Sequence, residues 1–125
     1  MRSQSVEFTD WAGNRQLDGT AYGAPFDSEN ATAGAYRWPW MLPFAQPEAG
    51  AAERQAVAFE ALASWDKPAN VIFGDQDRIF TPEWGRQFAA HIPGATFDTV
   101  AGAGHYVQET GAPLAELILR RISEN

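Results

Sequence analysis

A chain of 125 residues with 45% apolar content has the material for one domain with a modest core. Nine Lys and Arg against sixteen Asp and Glu leave a formal charge of −7, scattered along the chain, which argues against a nucleic-acid or anionic-membrane partner. The absence of cysteine excludes disulfides and thiolate metal sites.

Residues Met1 to Asp10 contain no apolar run of signal-peptide length, and no later stretch approaches the roughly 20 apolar residues of a membrane span, so a cytoplasmic location is expected. Residues 1–50 hold four of the eight prolines, with aromatics clustered in Tyr22-Gly23-Ala24-Pro25-Phe26 and Tyr36-Arg37-Trp38-Pro39-Trp40-Met41-Leu42-Pro43-Phe44. Loops and short helices are predicted there. From Ala51 to Trp65, the residues Ala52, Gln55, Ala56, Phe59, Leu62 and Ala63 recur near helical spacing, and Asp66-Lys67-Pro68 ends the pattern.

Asn70 to Gly74 carries the run Val71-Ile72-Phe73, which reads as a strand buried on both faces of a parallel sheet. A loop over Asp75 to Phe80 follows. Thr81-Pro82-Glu83 supplies an N-cap, a proline at the first helical position and an acid in the first turn, predicting a helix from Pro82 to His91. Ala95 to Val100 reads as a second strand, Ala101 to His105 as a glycine-rich loop, and Ala112 to Ile122 as a helix with Leu114, Leu117, Ile118 and Ile122 on one side. Alternating helices and strands mean an α/β fold with parallel strands. Two strands are too few to cover two helical faces, so part of the sheet is expected to be missing.

Asp77 and His105 each follow a predicted strand at its C-terminal end, where open α/β sheets place ligand-binding groups. Neighbouring strands lie about 5 Å apart, so the two loops can meet. A carboxylate bonded to one imidazole nitrogen fixes the tautomer and frees the other nitrogen as a base. Either residue alone is more commonly structural: an Asp in a polar loop is usually a turn or cap residue, and a His after glycines usually lies at the surface. Asp75, directly after the strand, is assigned such a structural role. His91 in the last turn of its helix suits the helix dipole.

Together with their surroundings these residues resemble a known family. Gly74 to Pro82 resembles the loop after the seventh strand of α/β-hydrolases, where the triad acid closes a Gly-x-x-Asp pattern that Asp77 completes. Ala103-Gly104-His105-Tyr106-Val107-Gln108-Glu109 resembles the histidine segment of haloalkane dehalogenases and their epoxide hydrolase relatives, with Tyr106 in place of the commoner Phe. Residues 21–26 and 33–43 resemble the end of the cap domain in one dehalogenase subfamily.

The resemblance implies a C-terminal portion of an α/β-hydrolase fold: residues 1–50 as a remnant of the cap, and residues 51–125 as part of the core with two parallel strands and flanking helices. It implies Asp77 as acid and His105 as base, with Trp38, Pro39, Leu42, Ile79 and Phe80 lining a dry cavity for a small apolar, halogenated substrate. No cofactor and no metal ion are implied. Trp40 and Phe44 serve equally well as packing residues.

One part of the family pattern is absent. The nucleophile of the family sits in a Gly-x-(Asp or Ser)-x-Gly turn upstream of the cap, and this chain has no such motif. Trp11 falls near a later cap helix and is not assigned to halide binding. The chain is therefore expected to be a fragment, inactive alone, with Met1 read equally as an internal start, a gene fragment or a cut. The same acid and base would serve an epoxide hydrolase or, with a Ser nucleophile, an esterase. A different class of reading is a non-enzymatic α/β piece that self-associates or pairs with a complementing N-terminal half.

Overall fold

A computed structural model describes residues 19–28, 30–42 and 51–124, without the side chains of residues 19, 39 and 40. The expectations for Met1 to Asp10, Trp11, Pro43 and Phe44 lie outside the described residues, as do those for the side chains of Pro39 and Trp40. Two compact units emerge, one drawn from Asp18–Ser64 and the other running from Trp65 to the C-terminal end. Among the described residues no helix is long and apolar enough to cross a membrane.

The first unit is helical, as its proline and aromatic clusters predict. It contains α1 (Gly19–Gly23), a 3-10 turn at Asn30–Thr32, α2 (Ala33–Trp40) and α3 (Ala52–Leu62). The helix α3 stops short of the Trp65 expected from its periodicity, because its last turn tightens: the N–H groups of Ala63 and Ser64 donate three residues back, to Glu60 and Ala61. None of its residues is buried.

The second unit is the α/β one: β1 (Asn70–Gly74), α4 (Pro82–Ala90), β2 (Thr96–Val100), a 3-10 turn at Val107–Thr110 and α5 (Ala112–Ser123). The strands pair in parallel, with Asn70 opposite Thr96 and Gly74 opposite Val100. Thr81 caps α4 by accepting from the Trp84 N–H at 3.3 Å, and Pro82 occupies a position that needs no donor. Both features were legible in the order of residues.

Alternate residues of each strand serve opposite faces. On one face Phe73 and Phe97 lie 6.1 Å apart beneath α4, and Gly85 makes the approach close enough to matter. A Cβ at Gly85 would fall 2.6 Å from Phe97 Cε2 and 2.9 Å from Phe73 Cδ2, so only glycine lets the helix settle on these rings. On the other face Val100, Ala103 and Leu117 form a buried cluster, with Ile72, Val107 and Leu114 packed against it.

A bidentate pair fixes α5 to β2. Arg121 Nε and Nη2 donate to the Asp98 carboxylate, each at 2.7 Å, and Nη1 donates to Glu124 at 2.7 Å. The bonds from Arg121 hold the Asp98 carboxyl below its ordinary value, against a smaller opposing effect of burial.

Burial is less complete than the sequence predicts. Val71 is buried, but Ile72 and Phe73 are only half-buried. Of the apolar side of α5, Leu117 is buried and Leu114 half-buried, while Ile118 is exposed and Ile122 is 63% exposed. A sheet of two strands is narrower than the faces laid over it, so residues beyond its width meet solvent.

Candidate functional site

The C-terminal ends of β1 and β2 lie side by side, and the loops that leave them carry the titratable groups. After Gly74 the chain turns back, with Asp77 N–H donating to the Gly74 carbonyl at 3.3 Å. That turn aims the Asp77 side chain inward, where the residue is 7% exposed and is the only buried charged residue among those described. Burial of a carboxylate requires partners. Asp77 has three: Oδ1 accepts from the N–H groups of Ile79 at 2.8 Å and Phe80 at 2.9 Å, and Oδ2 lies 3.1 Å from His105 Nδ1.

The two N–H bonds come from the loop's own backbone, two and three residues on, as in the turns that short acidic side chains stabilise. They fix the carboxylate before His105 is considered. An ionised carboxylate only accepts, so the contact to His105 calls for a proton on Nδ1, and in the neutral imidazole that leaves the lone pair on Nε2. The imidazole is half-buried. Its ring centroid lies 5.1 Å from that of Phe80, tilted by 53°, and 5.4 Å from that of Tyr106, edge-on. An imidazole with an oriented proton on one side and an unprotonated nitrogen on the other can act as a general base.

Gly74 is where the two loops press together. A Cβ there would overlap the carbonyl oxygens of both Ala103 and Gly104, so the acid loop and the histidine loop can come this close only around a glycine. Asp75 points elsewhere, with Oδ1 accepting from Gly102 N–H at 2.7 Å.

The structure brings together Asp77, His105 and Phe80, and Ile79 adjoins them as a half-buried neighbour of the acid. Trp38 and Leu42 belong to the helical unit, where both are exposed, Trp38 to 76%. Sequence reading passed over Trp84. Its ring stacks on Phe80 at 5.5 Å and on Phe73 at 5.9 Å, and Phe88 continues the stack at 5.3 Å. The signal was present in part: Trp84 and Phe88, four apart, share one face of α4, while Phe80 stands just before its N-cap Thr81. Phe80 and Trp84 are each 48% exposed, so an apolar shelf adjoins the histidine. Among the described residues no three His, Asp or Glu side chains are grouped to hold a metal ion.

Comparison with known proteins adds relatives by sequence. The chain is 37% identical over 101 residues to a haloalkane dehalogenase of Mycobacterium marinum, an alignment that covers 78% of this chain and 33% of the relative. It is 34% identical over 109 residues to a haloalkane dehalogenase of Psychrobacter cryohalolentis, covering 84% of this chain and 35% of the relative. Identity to haloalkane dehalogenase 1 of Mycobacterium bovis is 40% over 101 residues, with 78% and 33% covered. The chain thus spans about a third of the length of the curated relatives it matches. No family model matches it, and no solved structure matches it.

Proposed function

We propose, from the premise that this chain is a haloalkane dehalogenase-like α/β-hydrolase segment, that it supplies the acid and the base of a centre that hydrolyses carbon–halogen bonds through an alkyl-enzyme ester. The observation that carries the reading is the 3.1 Å contact between Asp77 Oδ2 and His105 Nδ1, made by a carboxylate already held by two backbone N–H groups. In the first step a nucleophilic carboxylate forms a C–O bond to the substrate carbon as the C–halogen bond breaks and halide departs. In the second, His105 Nε2 takes a proton from water as the water oxygen attacks the ester carbonyl, and Asp77 stabilises the resulting imidazolium. The adduct then collapses with cleavage of the acyl C–O bond as the alcohol leaves with that proton, restoring the carboxylate and the neutral imidazole.

The nucleophile belongs to a part of the enzyme other than this sequence, which has no Gly-x-(Asp or Ser)-x-Gly turn. Alone, the chain releases no halide from 1-haloalkanes. In the assembled centre Ile79 and Phe80 line the substrate cavity beside the acid; Trp38, Pro39 and Leu42, in the cap remnant of residues 1–50, are assigned to substrate binding by the resemblance. The substrate is small, apolar and halogenated. A dry wall of this kind strips water from the attacking carboxylate.

The test is a chimera in which this chain replaces the matching third of the Mycobacterium marinum relative. Halide release is expected. In the same chimera H105Q should give a burst of up to about one halide per active site and then stop, because alkylation needs no base and ester hydrolysis does. Sustained turnover by H105Q would overturn the assignment. An epoxide hydrolase or an esterase would use the same acid and base, and the chimera's preference for epoxide or ester over haloalkane would reveal it.

A second reading is favoured by the narrow sheet and by exposed Leu119 and Ile122 on α5. On it the chain is a non-enzymatic α/β piece that completes its sheet by self-association or with a complementing N-terminal half. Light scattering coupled to size exclusion distinguishes them: a monomer with a sharp thermal transition excludes self-association.

A further inference from the structure

Two consecutive residues of the acid loop grip the histidine loop at three points. Asp75 N–H donates to the Val100 carbonyl at 3.1 Å, Gln76 N–H donates to the Ala103 carbonyl at 2.8 Å, and Asp75 Oδ1 accepts from Gly102 N–H at 2.7 Å. All three anchor the stretch from Val100 to Ala103, which ends two residues before His105. The first two bonds are made by backbone and survive any side-chain change. Only the third depends on which residue stands at position 75.

That third bond sits where the turn is least supported. Ala101 and Gly102 are exposed beyond the end of β2, and Gly102 has φ +72, a left-handed conformation that favours glycine. Apart from the Asp75 bond, the turn is closed by Ala103 N–H donating to Val100 at 3.2 Å. A bond to an ionised carboxylate is shorter and stronger than one between neutral groups, so Asp75 adds a charge-assisted constraint to this turn at 2.7 Å.

We propose that Asp75 is a positioning residue. Its carboxylate holds Gly102, sets the course of the turn through Gly104, and thereby presents His105 Nδ1 to Asp77 Oδ2. The proposal draws its functional meaning from the reading of Asp77 and His105 as acid and base, but its geometry does not depend on that reading. A mere turn residue would contribute to stability and leave the imidazole undisturbed. A positioning residue also moves the imidazole.

The experiment follows the His105 tautomer by NMR in the full chain labelled with ¹⁵N-histidine, so no turnover is needed. In wild type the Nδ1–H tautomer is expected to dominate. In D75A the ratio of Nδ1–H to Nε2–H should fall roughly two- to tenfold, the range for weakening one hydrogen bond. In D75N, whose side-chain oxygen still accepts, the ratio should return to the wild-type value. A folded D75A with the wild-type ratio overturns the proposal. If D75A does not fold, amide exchange in wild type decides: a protected Gly102 N–H supports the bond, and exchange at the rate of a free amide refutes it. Loss of histidine-dependent turnover in the chimera with the tautomer coupling intact would sink the catalytic reading and leave this one standing.

Discussion

Asp77 Oδ2 and His105 Nδ1 lie 3.1 Å apart across 28 residues of chain, while Asp77 Oδ1 is held by the N–H groups of Ile79 and Phe80. One carboxylate therefore does two jobs: it shapes its own loop and it orients an imidazole. The substitutions that separate these jobs are the informative ones. D77N keeps the oxygen that accepts from Ile79 and Phe80 but replaces the acceptor facing His105 with a donor or an unmatched group. The fold should survive with a small loss of stability, and turnover of the chimera should drop by roughly 10⁴, as expected when the base is left in the wrong tautomer. Steady-state halide release beside a thermal melt measures both.

A different kind of damage is expected at Gly74. A methyl group there overlaps the carbonyl oxygens of Ala103 and Gly104, which are backbone atoms of a buried segment and cannot swing away as a side chain would. G74A should cost about 1–3 kcal/mol or more by overpacking, and it should part the two loops. Chemical denaturation gives the first quantity, and loss of the His105 Nδ1–H tautomer reports the second. Full retention of both would mean that the loops are freer to separate than their contacts imply.

The core of the α/β unit is small, so each buried side chain counts. Leu117 packs with Val100 and Ala103, and L117A should destabilise by about 2–3 kcal/mol, near the low end for a buried leucine because part of the cavity can open to solvent. I122A, at a residue that is 63% exposed, should change stability by less than about 0.5 kcal/mol. Equal effects at the two positions would show that α5 buries a different side from the one described.

Acid should weaken the hold of α5 on β2. Hydrogen bonds from Arg121 lower the Asp98 pKa in the folded chain, so the folded state binds fewer protons there than the unfolded chain does. The resulting stability is fully present above the ordinary carboxylate value, near pH 4, and is lost as pH falls through the lower folded value. Stability measured from pH 6 down to pH 3 should decline more steeply for wild type than for D98N. Parallel curves would remove Asp98 from the acid response.

The sequence by itself determined the order of the elements and most of their limits. The run Val71-Ile72-Phe73 between Asn70 and Gly74 marked β1, and Thr81-Pro82-Glu83 marked the start of α4, because strand burial, capping and the fixed φ of proline act over a few neighbouring residues. It also set Asp77 and His105 on the loops after consecutive strands. The resemblance had already set Asp77 toward the imidazole and Asp75 aside as a turn residue; what only the tertiary structure decided is the pair of contacts that does it, the turn that buries Asp77 and the bond that sends Asp75 to Gly102, both between loops far apart in sequence. The same holds for Arg121 with Asp98, separated by 23 residues, and for the fit of Gly85 against Phe73 and Phe97. Such contacts are fixed by how separate segments fill shared space, a three-dimensional constraint that local periodicity does not carry. The exposure of Ile118 and Ile122 is of this kind too, since an apolar stripe states what a helix can bury, and the width of the sheet beneath it states how much it does.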